Sequence, residues 1–404
     1  MKKLNLRKNQ RGAVQVLFMA GAVVILGMAG VAMDMGHVYL NKTRLQNALD
    51  ASALSGAKTI NDASSIAQAS ADALSTFNAH LEGEFASANL SPVFEFSETL
   101  VPFTPGAVES EAKYVRAKIN SLQTQTGLSR VLPGVGNTQN ITGSAVAGPS
   151  PPLGTGGGEV CDIAPLLMCG DPTDTDCTDG SCYGYDIGAE EEIVLKTHAA
   201  NKKNGWAVGP GNFQLLELEC GSGGACLREE LAGGYSGCAT QGDTVTTEPG
   251  NKVGPVAQGF NTRFAQYKGG MSSSEYPSDT VTDTGHEGCE VWYDDYVYRQ
   301  QNGIFNEALI SDGGIGVPMR RIMTVPIGNC TGTTNGRGEV PVLGFGCFYM
   351  TRKASHSGKT QNIYGQFIGN CSANGTVGED PAGPGEGPHL YKVILYKDPD
   401  SVES

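Results

Sequence analysis

The sequence predicts an α+β protein in which a long N-terminal transmembrane helix precedes a helical and mixed segment and then a β-rich, disulfide-containing ectodomain. One long apolar stretch lies near the N-terminus, directly behind a basic segment. All 11 cysteines lie between Cys161 and Cys371. Glycine contributes 56 of the 404 residues, about twice its ordinary share of ~7%. The chain is therefore rich in turns, which argues against an all-helical bundle.

The charge of the chain is unevenly distributed. Its net charge is −14 and its pI is about 4.9. A nucleic-acid-binding protein needs basic surface for phosphates, so we expect no nucleic-acid partner. Residues 1–12 nevertheless contain no acidic side chain. We interpret this segment as a cytoplasmic basic tail that carries Lys2, Lys3, Arg7, Lys8 and Arg11.

Residues 13–33 form the apolar stretch, in which Gln15 is the strongly polar side chain. At ~1.5 Å per residue, a helix of this length matches the ~30 Å hydrocarbon core of a bilayer. Backbone groups in lipid must bond internally, so the segment should be helical. Because the basic tail precedes it and Asp34 follows it, the positive-inside rule places the N-terminus in the cytoplasm. The sequence thus predicts a single-pass membrane protein with residues 34–404 outside.

A cleaved secretory signal peptide is the alternative interpretation of this stretch. Gly30-Val31-Ala32 has the small-x-small pattern of a cleavage site. The apolar run is longer than the ~7–15 residues of a signal-peptide core, which favours an uncleaved anchor. Both interpretations export the rest of the chain.

Small residues interrupt the apolar stretch, and small residues let helices approach closely in lipid. They predict a helix-packing surface through which the protein could form oligomers. The candidate residues are Gly21, Gly27, Gly30, Ala32 and Gly36.

Residues 34–147 read as a helical segment followed by a mixed α/β segment. Apolar residues at helical spacing extend the membrane helix outward to a break near Asn61, and we expect Asp62 to cap a second helix. Alternating runs at 114–119 and 141–146 predict strands. Residues 148–160, which include GPSPPLGTGGG, read as a Pro/Gly linker.

Residues 161–404 form the predicted Cys-rich, β-rich exported domain. Short helices are expected at 227–232 and 253–267. The candidate strands are 192–197, 212–219, 321–327, 339–350, 363–368 and 391–396.

The N-terminal residues also carry a family resemblance. Residues 11–57 contain Arg11-Gly12, the apolar span, Asp34-Met35-Gly36, Leu45-Gln46-Asn47-Ala48 and an alanine-rich run at 50–57. This combination resembles the TadG-like N-terminal segment of tight-adherence (Tad/Flp, type IVc) pilus assembly proteins. Two features of related proteins are missing: Leu17 stands where pseudopilins carry a glutamate after their processing site, and no Asp-x-Ser-x-Ser metal motif occurs.

The resemblance implies a component of the pilus assembly apparatus, or a minor pilin-like subunit, that is anchored in the bacterial inner membrane and supports adherence. Its bulk would be periplasmic or at the cell surface. Its partners would be the Tad pilus machinery or related pilin-like subunits. It would have no enzymatic activity and no cofactor. In agreement with this, the sequence contains no G-x-S-x-G elbow.

Cysteines in an exported segment favour disulfides. Short loops suggest the pairs Cys161/Cys169, Cys177/Cys182 and Cys220/Cys226, although sequence cannot fix the connectivity. The odd count leaves at least one cysteine outside intrachain pairs, as either a buried thiol or an intermolecular crosslink. The candidates are Cys161, Cys169, Cys177, Cys182, Cys220, Cys226, Cys238, Cys289, Cys330, Cys347 and Cys371.

An acidic loop at 171–180 offers weak candidates for a calcium site. Calcium prefers oxygen ligands, but the EF-hand spacing is not met, so a solvated acidic loop is the simpler interpretation. If the loop does bind calcium, the alternative function is a calcium-dependent surface-binding or adhesin module that shares the Tad anchor. The candidate ligands are Asp171, Asp174, Asp176 and Asp179.

Overall fold

The computed structural model describes most of the chain. The described residues are 11–62, 64–81, 85, 90–125, 138–175, 177, 179–196, 208–218, 221–235, 237–286, 289–305, 316–331, 335–356, 361–378 and 389–401. Its helices are α1 (Arg11–Asn61), α2 (Ile66–Ala79), α3 (Gly224–Glu229), α4 (Val253–Phe260) and α5 (Tyr293–Gln301), with a π-helical turn at Glu230–Gly234 and a 3₁₀ turn at Asn261–Phe264.

Short strands make up most of the remaining regular structure, so the α+β class is confirmed. The strands are β1 (Val93–Ser97), β2 (Tyr114–Gln125), β3 (Thr138–Pro149), β4 (Glu159–Cys161), β5 (Met168–Cys169), β6 (Ser181–Cys182), β7 (Tyr185–Asp186), β8 (Ile193–Lys196), β9 (Asn212–Glu217), β10 (Cys238–Thr240), β11 (Thr244–Pro249), β12 (Gly285–His286), β13 (Cys289–Glu290), β14 (Ile322–Gly328), β15 (Glu339–Met350), β16 (Ile363–Phe367), β17 (Cys371–Ser372), β18 (Asn374–Gly375), β19 (Leu390–Tyr391) and β20 (Val393–Tyr396).

Helix α1 is continuous over 51 residues and ends at Asn61, as the sequence predicted. It is long and apolar enough to cross a membrane. Its C-terminal part carries apolar residues at i, i+3 and i+4, and these pack into a core with α2 and the sheet. The helix residues fully buried in this core include Leu45, Ala48, Leu49, Ala53 and Ala57.

The predicted cap of α2 was wrong. The N-cap is Ser65, whose hydroxyl accepts a hydrogen bond of 3.1 Å from the Gln68 N–H. Asp62 cannot play this role because its own N–H still donates to the Lys58 carbonyl at 2.9 Å, which makes it part of the last turn of α1.

Four antiparallel strands in the order β1-β2-β3-β20 form the sheet on which α1 and α2 pack. Strand β20 comes from the far end of the sequence, and Ile394 pairs with Gly148 of β3. We call α1 from Val38 onward, α2 and this sheet the base, and residues 150–391 the head. The predicted unit 161–404 therefore needs correction, because its last strand completes the base.

The predicted Pro/Gly linker is packed against the rest of the chain. The Ser150 N–H donates to the Lys392 carbonyl and the Leu153 N–H to the Leu390 carbonyl, both at 2.8 Å. Leu153 is buried and bridges to Val377. Two chain segments thus run side by side between the base and the head, and residues 148–160 are not a free tether.

The head contains a seven-stranded sheet that runs in the order β5-β14-β15-β11-β9, with β16 and β8 extending from β15. Side chains alternate between the two faces of a strand. On β15, Phe348 and Met350 therefore join the hydrophobic layer that contains α4, whereas Cys347 and Tyr349 join the layer that contains α5. The predicted strands from 192 onward are confirmed, and α5 is a helix that the sequence did not predict.

The disulfide pairing is partly different from the expectation. Cys177 bonds to Cys182, but the suggested Cys161/Cys169 pair is wrong, because Cys161 bonds to Cys238 and Cys169 bonds to Cys330. Strand pairing is the reason. Cys161 lies directly opposite Cys238 across β4 and β10, and β5 lies beside the end of β14, two residues before Cys330.

The remaining cysteines fall partly outside the described residues. Cys347 bonds to Cys371. Cys226 is disulfide-bonded, whereas its suggested partner Cys220 and the side chain of Cys289 lie outside the described part of the chain.

Candidate functional site

The N-terminal part of α1 projects from the protein as an uncovered apolar rod. Its large apolar side chains are mostly about two-thirds exposed, and Phe18 reaches 77%. Only 6% of its most apolar 18-residue stretch is buried inside the protein. Contiguous apolar surface of this extent marks an interaction with a membrane or another protein. We call residues 14–36 the apolar rod.

The base fixes the direction in which this rod projects. The resemblance motif at 45–48 lies where α1 crosses the sheet: Leu45 and Ala48 are buried beneath it. Gln46 donates hydrogen bonds to the Ser144 carbonyl at 2.9 Å and to Asp50 Oδ1 at 2.8 Å. These residues hold the second half of α1 on the base, so the rod is a rigid extension of the same helix.

The small residues of the rod do not form one stripe. At about 100° per residue, Gly21, Ala32 and Gly36 lie within about 60° of one another around the helix, and Gly27 and Gly30 lie on the other side. The first three are exposed, Gly27 is half-buried and Gly30 is buried. A Cβ added at Gly21 or Gly36 would meet nothing within 4 Å. The fold itself therefore does not require glycine at these two exposed positions.

The end of α1 contacts the head directly. The Asn61 carbonyl accepts a hydrogen bond of 3.3 Å from the Tyr391 hydroxyl, and Asn61 Nδ2 donates to the Lys113 carbonyl at 2.8 Å. Burial at this junction raises the pKa of Asp62 to about 6, against the opposing effect of Lys58. The base and head therefore meet around a carboxyl group whose pKa is raised by burial.

A second contact between distant parts of the chain is ionic and joins β2 to the segment after β20. Arg116 on β2 is 6% exposed. Its guanidinium contacts Glu95 on β1 at 2.7 Å, and Asp398 and Asp400 after β20 at 3.3 and 2.5 Å. It also lies 4.2 Å above the Phe103 ring centroid. These contacts hold the segment after β20 against the base. The sequence predicted none of them, because neither spacing nor periodicity relates positions so far apart.

The acidic loop uses its carboxylates within its own hairpin. Asp171 Oδ1 accepts hydrogen bonds from the N–H and hydroxyl of Thr173 at 2.8 and 2.6 Å. Asp174 and Asp179 share the Ser181 hydroxyl, each at 2.9 Å. Hydrogen bonds from Ser181 lower the pKa of Asp179. The structure thus brings the Asp174 and Asp179 carboxylates together at Ser181, whereas the Asp171 carboxylate bonds to Thr173. Asp176 lies outside the described residues.

Glu159, Cys161 and Cys238 form the one cluster with metal-ligand spacing in the described part of the chain. Cysteine binds metals such as zinc as a thiolate, but the two sulfur atoms here are joined in a disulfide. The described residues of the acidic loop do not form such a cluster.

Comparison with known proteins adds one finding. Residues 12–59 match the family described as putative Flp pilus-assembly TadE/G-like. The match covers most of α1 and confirms the resemblance there, including the part of α1 that packs on the sheet of the base. No curated protein and no solved structure matches the chain.

Proposed function

We propose that the chain is a non-enzymatic, membrane-anchored component or minor pilin-like subunit of a Tad/Flp (type IVc) pilus assembly apparatus, and that it supports adherence. The Tad match on α1 supports a role related to pilus assembly. In this proposal the chain acts by docking and positioning. It assigns no catalytic residue and no cofactor.

The observation that carries the proposal is the division of α1 into two parts. Residues 14–36 expose apolar side chains on all sides, whereas residues from 45 onward form the core of the base. Charged and polar groups are costly in hydrocarbon and apolar ones are stable there. Such a helix can stay anchored in a bilayer, or pack beside other membrane helices, while it holds the head at a fixed orientation.

The proposal places the protein in the inner membrane with its N-terminus in the cytoplasm and the base and head in the periplasm or at the cell surface. The basic tail supports this orientation through the positive-inside rule. The disulfides support an oxidising compartment for the head. Reporter fusions at Ser404 test this: a periplasmic reporter should be active and a cytoplasmic one silent. The reverse pattern would contradict the orientation.

Photocross-linking in cells tests the docking role. A benzoylphenylalanine placed at Phe18 replaces an aromatic side chain that is 77% exposed on the rod, and the matched control replaces Tyr298, which is 59% exposed on the head. We expect the Phe18 position to form protein adducts with a pilin-like subunit or another membrane helix of the machinery. These adducts should disappear when the pilus genes are deleted.

The control position separates docking from proximity in general. Tyr298 should not give the same adducts, because it lies outside the rod. If the Phe18 position gives only lipid adducts in cells that assemble pili, α1 is an anchor alone and the proposal that it docks is wrong.

A further inference from the structure

A half-open cavity of about 490 Å³ lies in the head, away from the rod and from the contacts of Asn61 and Arg116 described above. Arg263 and Arg320 both line it. Its wall is otherwise mixed: Tyr235, Thr324 and Asn374 supply neutral polar groups, two acidic side chains also line it, and most of the other lining residues are apolar. Small-molecule sites are concave and combine apolar side chains with polar groups that fix the orientation of the ligand.

One nitrogen of the Arg320 guanidinium has no hydrogen-bond partner among the described residues. Its Nε donates to the Pro277 carbonyl at 3.1 Å and its Nη2 to the Ala232 carbonyl at 2.8 Å. Its Nη1 has no hydrogen-bond partner among the described residues. Gly233 lies in front of this atom, and a Cβ there would come within 2.7 Å of Nη1. The glycine therefore leaves room beside the open side of the guanidinium.

Arg263 adds a second cation that is poorly solvated. It is 5% exposed, its Nη1 donates to the Leu231 carbonyl, and its Nε has no partner in the described part of the chain. Burial and the nearby Arg320 cation lower the pKa of Arg263. A guanidinium nevertheless keeps its proton in proteins, so two positive charges remain close together where water is scarce.

The buried carboxylate that acts on both arginines, Asp279, already has hydrogen-bond partners. Asp279 attracts both arginines and is fully buried. Its oxygens accept hydrogen bonds from the Tyr296 hydroxyl at 2.8 Å and from the Arg321 N–H at 2.9 Å. Arg321 is itself a third buried cation beside this carboxylate. Asp279 thus lies near three guanidinium groups, and buried charges are stable when they are paired.

We propose that this cavity binds a small carboxylate, with Arg320 as its direct partner and Arg263 as the second positive charge. A guanidinium matches the two oxygens of a carboxylate. Asp162 and Glu230 also line the cavity, and they disfavour ions with two or more negative charges, such as phosphate. Ile322 and Met323 on the wall suit a short apolar body attached to the carboxylate.

Saturation-transfer NMR on the full chain in detergent tests this inference. The probes are 4-methylpentanoate and its neutral analogue 4-methylpentanamide, which have the same shape and differ in charge. We expect transfer to the carboxylate, and signals at least about tenfold weaker for the amide, because a hydrogen bond to a charged group is much stronger than a neutral one. Inorganic phosphate should compete poorly.

Two variants and a matched control locate the site. Arg320→Gln should abolish the transfer. The matched control is Arg299→Gln, which removes an arginine of α5 that pairs with Asp283. This variant should leave the transfer intact. Ser372→Phe changes an exposed residue of the cavity wall and should block entry, so it decides the question if Arg320→Gln does not fold. Three results would overturn the proposal. They are equal signals for the two probes, transfer that survives in folded Arg320→Gln or folded Ser372→Phe, and strong competition by phosphate.

Discussion

Arg116 Nη1 donates a hydrogen bond of 3.3 Å to Asp398 Oδ1 across 282 positions of the chain. Both side chains are less than a tenth exposed. Together with the pairing of β20 on β3, this contact makes the end of the described chain a structural part of the base. The helix that carries the apolar rod therefore packs on a sheet whose strands come from distant parts of the sequence.

The buried Arg116–Asp398 pair should contribute more to the free energy of unfolding than a surface pair of an arginine and an aspartate. Asp398→Asn removes the charge beside Arg116, and we expect it to lower the free energy of unfolding by about 2 kcal/mol, since hydrogen bonds to charged groups contribute about that much. Asp283→Asn removes the half-exposed partner of Arg299 and should cost less than about 1 kcal/mol. Urea denaturation of the full chain in detergent measures both. Equal losses would contradict the role given to Asp398.

The disulfides should differ in their effect on stability because they close loops of different length. Cys169 and Cys330 are 161 positions apart, and Cys177 and Cys182 are 5 apart. In the chain-entropy account, the first bond contributes about 5 kcal/mol and the second about 2 kcal/mol. Paired alanine substitutions followed by denaturation test this. A larger loss from the short loop would show that the entropy of the unfolded chain does not dominate.

Asp62 should make stability depend on pH with a definite sign. Its pKa rises from 3.8 in an exposed chain to about 6 in the fold, chiefly because of burial. Between these values the unfolded state releases its proton first, so the contribution of Asp62 to folding becomes less favourable as pH rises from about 4 to about 6. Lys58 opposes the shift, and Tyr293 and Tyr391 face the same carboxyl group.

Asp62→Asn therefore should stabilise the protein at pH 7 and change little at pH 3.5. Because Asp62 is half-buried, we expect about 1–2 kcal/mol rather than the full value of the shift. Thermal unfolding followed by circular dichroism at the two pH values measures the difference. A variant that is equally stabilised at both would show that the ionisation of Asp62 is not the cause.

The exposed small residues of the rod give a test of helix packing. Gly21→Leu with Gly36→Leu adds side chains into space that is open within the chain, so the melting temperature should not change. If a neighbouring helix approaches there, these side chains should lower the yield of protein adducts from the Phe18 photocross-linker several-fold. Val24→Leu enlarges a side chain that is already large and exposed, and serves as the control. Unchanged adduct yield in the double variant would leave the rod as an anchor only.

Local patterns in the sequence predicted the elements that local physics determines. The apolar span, the helical spacing through Leu45 and Leu49, and the strand that contains Phe348 follow from periodicities of 3.6 and 2 residues. The prediction that Asp62 caps α2 was wrong because Ser65, three positions later, is an equally suitable capping residue type. Which of them caps depends on where the last turn of α1 ends.

Contacts between positions far apart in the sequence account for the features that the sequence did not predict. Cys161 finds Cys238 because two strands pair, although Cys169 is much nearer in sequence. The same is true of the carboxylate cavity, where Arg263 and Arg320 come from a 3₁₀ turn and from the segment before β14. Neither arginine belongs to a motif, so sequence alone could not single them out. The guanidinium nitrogen that each leaves without a partner among the described residues is visible only once the chain is folded.

The most direct test of the central claim is fluorescence quenching of a tryptophan placed on each half of α1 in the reconstituted full chain. Leu26→Trp reports on the rod and Tyr39→Trp on the exposed face just beyond it, each compared with the parent protein and its two tryptophans. If the rod lies in the membrane, lipids brominated in mid-chain should quench the tryptophan at 26 while iodide does not, and iodide should quench the one at 39. Strong iodide quenching at 26 with no effect of the brominated lipids would contradict the account.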